Sequence, residues 1–372
     1  MDLQEKLFDR HKIGIYRHLL NNQSGIDYFS NDYLGFARNQ EIILGIEKLK
    51  DKYQLTQFGS TGSRLISGNN IIMEDAEQFV SNYHNAKTGL IYNSGLDANI
   101  GIFSSIPQKG DVVIYDEEIH ASVKLGIRLS FADKKMFKHN DLIDLEKQLN
   151  KTTLGDKIVA IESIYSISGD ISPLKEIVKL CKKYNAYLIV DEAHSTGIFG
   201  HKGIGLVADL GLEKDVFIRL HTFGKAMGVS GAIVLSDLLV KEYLINFSYS
   251  FIYTTAMPLF NYIAIMSAYN LLERSEETIN NLHNNIKFFN KLALQNNISK
   301  TEGRSPIKTV HTNSNINTDS LQKKIIDNGF LVKGIKSPTV KIGNECLRII
   351  IHSFNNNNEI EKLVQLISDR SS

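Results

Sequence analysis

The chain has 372 residues, of which 42% are hydrophobic, so it can bury a large core in two or three domains. Lys and Arg number 42 against 41 Asp and Glu, so no basic excess favours a nucleic acid or a membrane surface as a partner. The two cysteines, Cys181 and Cys346, are far apart, and no apolar run is long enough for a membrane span or a signal core, so we predict a cytoplasmic globular protein without a disulfide framework.

Short apolar runs alternate with helical periodicity through the middle of the chain. They follow an amphipathic helix predicted within residues 1–20 and an irregular segment over residues 21–36. The hydrophobicity of the runs is continuous, which is typical of strands buried on both faces. We therefore predict an α/β domain with a mostly parallel sheet, helices at 142–149 and 174–184, and strands at 89–92, 111–115, 158–161, 186–190, 216–218 and 232–235.

The last third of the chain has a different pattern. A long helix or a helix pair is predicted over residues 262–294, and a final helix over 359–367. Strands are predicted at 307–310, 329–332 and 347–351. We interpret residues 1–40 as an N-terminal helix and arm, 41–265 as the large α/β domain, and 266–372 as a smaller α+β domain.

Lys225 and Asp191 are the most informative pair of residues. Lys225 follows a Phe-Gly turn among small residues, where its amine can form an imine with an aldehyde. Asp191 ends an apolar run, and ligands of α/β sheets bind beyond the carboxyl ends of the strands. A carboxylate, the imidazole of His194 and an amine suit the ring nitrogen, the phenol oxygen and the aldehyde of pyridoxal phosphate. Taken singly, each residue is also compatible with a surface turn or a helix cap.

Further polar residues follow the predicted strands. Gly95 and Leu96 open a helix, where backbone N–H groups suit a phosphate, although a simple capping turn explains the same residues. The flat ring of His120 can stack on a planar ligand or belong to a loop. Thr222 can bond a phosphate oxygen or its own backbone, and Ser166 can donate to the phenol oxygen or cap a turn.

Arg348 lies within the apolar segment at 347–351. A lone arginine is usually at the surface. On an apolar strand it more often faces an anion, because burying its charge unpaired is costly.

Other functional classes match parts of this pattern. Asp191-Glu192-Ala193-His194 also resembles the acidic magnesium box of DEAH helicases, but Ala226 follows Lys225 where a phosphate-binding loop needs Ser or Thr. A zinc hydrolase using His120, Asp191 and His194 lacks a His-x-x-x-His helical pair. A non-catalytic binding module does not require Lys225 beside Asp191. We therefore predict an enzyme and assign no metal site.

Together these segments resemble the α-oxoamine synthase family of pyridoxal phosphate enzymes over nearly the whole chain. The motifs that carry the resemblance, in the family's order, are Asn31-Asp32-Tyr33-Leu34-Gly35, Gly62-Ser63-Arg64, His120-Ala121-Ser122, Asp191-Glu192-Ala193-His194-Ser195-Thr196-Gly197, Thr222-Phe223-Gly224-Lys225, Pro338-Thr339-Val340 and Leu347-Arg348-Ile349. The resemblance implies an aspartate aminotransferase-like fold, pyridoxal 5'-phosphate as cofactor, and a homodimer with active sites at the interface.

The resemblance also implies an acyltransferase that condenses L-alanine with a pimeloyl thioester of coenzyme A or acyl carrier protein and releases carbon dioxide. Other members of the family share the cofactor site and stay as alternatives. They are 2-amino-3-ketobutyrate ligase, serine palmitoyltransferase and an autoinducer-type synthase.

Residue roles follow from the same resemblance. Lys225 matches the lysine that binds the aldehyde, Asp191 the partner of the ring nitrogen, and His120 the stacking residue, which also meets substrate. The positions around the phenol oxygen are His194 and Ser166, and those at the phosphate are Gly95, Leu96 and Thr222, with Thr254 and Thr255 lent across the dimer interface.

On the substrate side, the resemblance implies Arg17, Asn31, Thr339 and Arg348, of which Arg348 holds the amino-acid carboxylate. The sequence departs from the family at Leu125 and Ser168, where Asp is usual, and at Thr61, where Gly is more usual.

Overall fold

A computed structural model describes residues 2–17, 19, 24–151, 153–298 and 303–369. The strands are β1 (Ile26–Asp27), β2 (Thr88–Tyr92), β3 (Val112–Asp116), β4 (Asp133–Phe137), β5 (Lys157–Glu162), β6 (Ala186–Asp191), β7 (Ile218–Thr222), β8 (Ala232–Ser236), β9 (Ile307–His311), β10 (Phe330–Leu331), β11 (Lys333–Ile335) and β12 (Cys346–Ile350). The helices are α1 (Leu3–Lys12), α2 (Gln40–Lys52), α3 (Ile71–Tyr83), α4 (Gly95–Ser105), α5 (Ala121–Leu129), α6 (Leu142–Leu149), α7 (Leu174–Lys183), α8 (Leu206–Asp209), α9 (Leu238–Phe247), α10 (Tyr249–Ile252), α11 (Leu259–Leu272), α12 (Glu276–Gln295), α13 (Asn315–Asp327) and α14 (Asn357–Ser368). Within these ranges, none of the helices combines the length and the apolar character that crossing a membrane would need.

The chain forms two compact units. The larger comprises Leu34–Tyr165 and Ile171–Ile279, and the smaller comprises Met1–Tyr33, Ser166–Asp170 and Asn280–Ser372. The predicted domain boundaries, after residues 40 and 265, stay a prediction. The predicted N-terminal helix ends at Lys12, and Met1, His18 and residues 20–23 lie outside the described part of the chain.

A seven-stranded sheet forms the centre of the larger unit. Its order is β2-β8-β7-β6-β5-β3-β4, and β8 alone runs antiparallel to its neighbours. The mostly parallel α/β sheet is therefore confirmed. The predicted strands lie within one or two residues of the observed ones, except that the strand predicted at 216–218 is found at Ile218–Thr222. The prediction followed the apolar run at 216–218, whereas β7 continues through residues that are polar but buried.

The edge strand β4 was not predicted, because its sequence is not an apolar run. Four of its five residues are exposed, and three of them, Asp133, Lys134 and Lys135, are charged. It pairs only with β3 in the described sheet. Charges on such an edge discourage pairing with another chain.

The helix pair predicted over 262–294 is confirmed. Helix α11 is buried along nearly its whole length and packs on α2 and α3. It is separated from α12 by residues 273–275. Ser275 bonds back through its hydroxyl to the carbonyl of Leu271 at 2.7 Å, which satisfies one of the carbonyls left open where α11 ends.

The smaller unit contains an antiparallel sheet of order β11-β12-β9, with β1 paired to β10 in a separate ribbon. The segment Ser166–Asp170 approaches β9 very closely. Gly169 has φ +76°, and a Cβ there would lie 2.3 Å from the carbonyl oxygen of Ile307. Only glycine therefore fits this position. The strand predicted at 329–332 contains the short β10, and β11 begins directly after the predicted range.

Thr61, which stands where the family more often has glycine, has φ +55°. This left-handed conformation costs a residue with a Cβ about 1–2 kcal/mol, and a β-branched residue adopts it rarely. Two hydrogen bonds hold the surrounding loop: Ser60 Oγ donates to the carbonyl of Met257 at 2.8 Å, and Ala256 N donates to the carbonyl of Gly62 at 2.9 Å. The backbone conformation thus explains why glycine suits this site.

Two neutral histidines are buried next to each other: His221, which lies on β7, and His84. His84 donates from Nδ1 to the carbonyl of Ile204 at 2.8 Å and accepts at Nε2 from the Tyr269 hydroxyl at 2.7 Å. Its ring centre lies 4.0 Å from that of His221. Burial lowers the pKa of His84 to about 3 and that of His221 well below 6.5, and the nearby charge of Arg219 acts in the same direction.

Acid should therefore destabilise the protein through these histidines. Unfolded histidine takes up a proton near pH 6.5, whereas folded His84 does so only near pH 3, so the free energy of unfolding falls as the pH falls between these values. Each such histidine contributes about 1.4 kcal/mol per pH unit. In His84→Asn, the unfolding free energy should decrease less between pH 6.5 and 5, because the contribution of one histidine is removed. The exposed-site variant His201→Asn should keep the full decrease, and an unchanged slope in His84→Asn would contradict the assignment.

Candidate active site

The carboxyl ends of several strands meet at one edge of the large sheet. Strand β6 ends at Asp191 and β7 at Thr222, and the two strands are parallel with Asp191 paired to Leu220. Strand β2 ends at Tyr92, in register with Ala232, which also pairs with Thr222. Parallel sheets bind ligands at this edge, so residues that follow these strands are candidates for a site.

Asp191 lies at this edge with only 7% of its surface exposed. Its Oδ1 accepts from the N–H of Ala193 at 2.9 Å, and its Oδ2 accepts from Nδ2 of Asn99 at 2.9 Å. In the part of the chain that the structure describes, the hydrogen-bond donors to this carboxylate are thus neutral. Its negative charge is left to be matched by a cationic group of a ligand, such as a protonated ring nitrogen.

His120 precedes α5 and caps it. The N–H of Ser122 donates to Nδ1 at 3.2 Å, so that nitrogen carries a lone pair and the neutral ring has its proton on Nε2. Partial desolvation lowers the pKa of His120, the charge of Asp191 acts in the opposite direction, and the charge of Lys225 lowers it again. The three predicted residues therefore share one electrostatic environment. As a residue His120 is exposed to solvent, so a ligand can reach it.

The first turn of α4 forms the predicted phosphate side. Ser94 Oγ caps the helix by accepting from the N–H of Asp97 at 3.1 Å. The N–H groups of Gly95 and Leu96 have no carbonyl within the helix to bond, and a helix N-terminus favours an anion. A Cβ on Gly95 would lie 2.7 Å from Cγ2 of Thr222, so glycine permits close approach. The turn is a helix cap, and its predicted binding of a phosphate stays a prediction.

Lys225 lies in the turn between β7 and β8. Its Nζ donates to Oγ1 of Thr222 at 3.3 Å. Because Thr222 also contacts the first turn of α4, the structure brings together the predicted lysine and the predicted phosphate contacts. His194 is buried in the turn after β6, with 4% of its surface exposed.

Thr254 and Thr255 lie close to the turn between β2 and α4 of their own chain. Nδ2 of Asn93 donates to Oγ1 of Thr254 at 3.2 Å and to the carbonyl of Thr255 at 3.0 Å. Their predicted contribution to the phosphate of a neighbouring subunit stays a prediction.

Three predicted site residues meet in the smaller unit. Arg348 donates from Nε to the carbonyl of Ser166 at 2.8 Å and from Nη2 to Oδ1 of Asn31 at 3.1 Å. Loss of hydration lowers the pKa of Arg348, and its hydrogen-bond acceptors here are neutral oxygens. A guanidinium in this position is suited to an anionic ligand. Ser166 contributes its carbonyl here, so the predicted role of its hydroxyl stays a prediction.

Arg17 and Thr339 line one cavity of about 690 Å³ in the smaller unit. Its wall also carries Arg10 and Lys333, which are exposed. A fourth cation, Lys336, is engaged with a carboxylate at 2.9 Å. The cavity therefore suits an anionic ligand.

Asn99 and Ser122 have no role predicted from the sequence. Asn99 has 3% of its surface exposed and lies next to Ala98 on the buried side of α4, and Ser122 has 2% exposed. A polar side chain at a helix position that faces the core must find hydrogen-bond partners. That rule was the available signal, but it does not name the partners.

The chain matches the family model of class I and II aminotransferases over residues 24–367. It is 37% identical over 367 residues to the 8-amino-7-oxononanoate synthase of Emericella nidulans, covering 93% of this chain and 89% of that protein. The crystal structure of an 8-amino-7-oxononanoate synthase from Francisella tularensis superposes with a TM-score of 0.81 and 30% identity, covering 93% of this chain and 97% of that one. A variant serine palmitoyltransferase from S. paucimobilis, with bound pyridoxal phosphate and myriocin, superposes with a TM-score of 0.90 and 25% identity, covering 99% and 98%.

These similarities confirm the fold class that the resemblance implied, and they leave the helicase, zinc-hydrolase and binding-module alternatives without support. The chain belongs to the class I and II aminotransferase family and, within it, to the α-oxoamine synthases, the pyridoxal phosphate-dependent acyltransferases of aspartate aminotransferase-like fold, where it resembles 8-amino-7-oxononanoate synthase.

Proposed function

We propose that this protein condenses L-alanine with a pimeloyl thioester to form 8-amino-7-oxononanoate, a step of biotin biosynthesis. The observation that carries the proposal is the meeting of Lys225, Thr222 and the buried Asp191 carboxylate at one sheet edge. This arrangement occurs in a chain that is similar to 8-amino-7-oxononanoate synthases over most of its length.

The residues of this edge fit pyridoxal 5'-phosphate. When bound, the cofactor withdraws electrons from the α-carbon of an amino acid, so that a proton can be removed there. Asp191, with neutral hydrogen-bond donors, keeps its charge for the protonated ring nitrogen. The first turn of α4, at Gly95 and Leu96, would hold the phosphate together with Thr222. His120 would stack on the ring, and His194 and Ser166 would hydrogen-bond the phenol oxygen.

Lys225 acts twice. Its amine would form the covalent link to the aldehyde of the cofactor, and the free amine would take the α-proton as a general base. The α-carbon forms a bond to the thioester carbonyl, and the thiolate leaves and takes up a proton. The bond from the α-carbon to the carboxylate then breaks, carbon dioxide leaves, and the α-carbon takes a proton back.

Substrate contacts belong to the smaller unit in this proposal. Arg348 binds the alanine carboxylate, because its guanidinium has neutral partners and a hydrogen-bonding fork. Asn31 supports Arg348, and Arg17 and Thr339 serve the thioester in the cationic cavity that they line.

A homodimer in the cytoplasm, with Thr254 and Thr255 completing the neighbouring phosphate site, is part of the proposal. The side chains of Ile66 and Tyr253 are 86% and 79% exposed and lie on neighbouring segments. Exposed apolar side chains of this size are typical of a surface that another subunit covers.

Another α-oxoamine synthase activity is the second candidate. The observation that favours it is the TM-score of 0.90 to a serine palmitoyltransferase, against 0.81 to an 8-amino-7-oxononanoate synthase. 2-Amino-3-ketobutyrate ligase and an autoinducer-type synthase share the same cofactor chemistry.

A substrate panel separates these candidates. Alanine, glycine, serine and threonine should be tested with acetyl, pimeloyl and palmitoyl thioesters, each on coenzyme A and, for pimeloyl, also on acyl carrier protein, while thiol release is followed. We expect alanine with a pimeloyl thioester to exceed every other pair in kcat/KM by at least about tenfold, because each extra or missing methylene in a fitted pocket is worth 1–3 kcal/mol. A preference for serine with the palmitoyl thioester would instead support the second candidate.

Removal of Lys225 should abolish turnover. Lys225→Ala should lose more than about 10²–10⁴-fold in rate, because the general base and the covalent attachment are lost together. After reduction with borohydride, mass spectrometry should find the cofactor on the Lys225 peptide of the unaltered protein and not in the variant. Lys214→Ala, at an exposed position, is the control and should keep full activity.

Arg348→Lys should affect alanine more than the thioester. The variant keeps the positive charge but loses the planar fork, so we expect the KM for alanine to rise by about tenfold, with a much smaller change in the KM for the thioester. Arg128→Lys is the matched control at an exposed position. Equal increases in both KM values would show that Arg348 does not recognise the carboxylate.

A further inference from the structure

We propose that Asn99 is a positioning residue that couples the Asp191 carboxylate to the His120 ring through Ser122. This inference deepens the proposed function and depends on pyridoxal phosphate binding at the same sheet edge. Asn99 does not have to touch the cofactor or the substrate in this role. It acts by orienting two groups that do.

The orientation of the Asn99 amide follows from its partners. A carboxylate can only accept hydrogen bonds, so the amide must present Nδ2, and not its oxygen, to Oδ2 of Asp191 at 2.9 Å. The same nitrogen donates its second hydrogen to Oγ of Ser122 at 3.0 Å. Both hydrogens of the NH₂ group are therefore used, one on each side of the site.

The direction of the remaining bonds is then determined. Ser122 Oγ accepts from Asn99, so its own hydrogen is available for Nδ1 of His120 at 2.7 Å. That nitrogen also accepts the N–H of Ser122. The chain of donors runs from Asn99 to Asp191 in one direction and from Asn99 through Ser122 to His120 in the other. It keeps the His120 proton on Nε2.

Tight packing of two helices makes this connection possible. Gly126 lies one turn after Ser122 on α5, and a Cβ at Gly126 would come within 2.8 Å of the carbonyl oxygen of Asn99 and of Cβ of Phe103. Glycine therefore allows α5 to approach α4 at the level of Asn99. Asn99 itself is one turn beyond Leu96, so a single rigid helix provides both the phosphate contacts and the coupling amide.

A neutral amide is the group that this position requires. It donates to Asp191 without neutralising the charge that the ring nitrogen needs, whereas a carboxylate of the same size would place a like charge beside Asp191 and force the pair to share a proton. An alanine would leave Asp191 Oδ2 and Ser122 Oγ without their donor. These differences give three distinct variants to compare.

The test uses the purified protein loaded with pyridoxal phosphate, and the variants Asn99→Ala, Asn99→Asp and Ser122→Ala. Asn246→Ala is the control, because Asn246 is exposed and its side chain donates to the carbonyl of Glu242 in its own helix at 2.8 Å. The measurements are the cofactor dissociation constant, the pH midpoint of the bound cofactor's absorbance, exchange of the alanine α-proton without a thioester, and the melting temperature of the cofactor-free protein.

In Asn99→Ala, we expect weaker cofactor binding and slower α-proton exchange, each by about 10–100-fold, because a buried carboxylate has lost a hydrogen bond. The pH midpoint of the cofactor absorbance should shift. Ser122→Ala should keep the cofactor affinity, because the bond from Asn99 to Asp191 remains, while the acid limb of its exchange rate moves to higher pH, because His120 has lost a donor to Nδ1.

A purely structural role would lower the melting temperature but leave the pH midpoint and the affinity of the folded protein unchanged, and that result would overturn the inference. If Asn99→Ala does not fold, the isosteric Asn99→Asp variant decides, since a like charge beside Asp191 must shift the midpoint. Absence of cofactor binding or exchange in the unaltered protein would refute the proposed function itself, which is a separate outcome.

Discussion

A negative charge must be kept at the end of a buried strand, and the larger unit is arranged around that requirement. The Asp191 carboxylate has 7% of its surface exposed, and its hydrogen-bond donors are the N–H of Ala193 and the amide of Asn99. A buried carboxylate without such donors would be too costly, and one paired with a protein cation would have no charge to offer a ligand. Neutral donors satisfy both conditions, which is what the proposed pairing with a cationic ring nitrogen requires.

The residue that follows Asp191 has different hydrogen-bond partners. Glu192 follows Asp191 directly, but its Oε1 accepts from the hydroxyl of Ser195 at 2.8 Å and from the N–H of Val207 at 3.0 Å. Burial raises the pKa of Glu192. Successive side chains of a strand point to opposite faces, so one carboxyl can serve the ligand while the next ties together the turns behind it. The motif shared with helicases is thus used here for two unrelated tasks.

Helix α4 connects the chemistry to the packing. Its first turn offers backbone N–H groups to a phosphate, Gly95 lets it approach Thr222, and Asn99 reaches Asp191 one turn later. A helix is stiff, so contacts made by one turn constrain those made by the next. In the smaller unit, strand β12 has an analogous role, because it holds Arg348 against neutral oxygens of Ser166 and Asn31.

The sequence by itself determined the main strands of the sheet, the long helix or helix pair over residues 262–294, and the residues at the strand ends. These features depend on local apolar runs and on side chains next to them in the chain, which a sequence displays directly. Tertiary structure alone decided that β4 pairs at the edge, that β7 extends through buried Arg219 and His221, and that residues near the N-terminus pack with the C-terminal strands. It also decided the hydrogen-bond partners of Asn99 and Ser122, because the bond between them depends on the approach of α5 to α4.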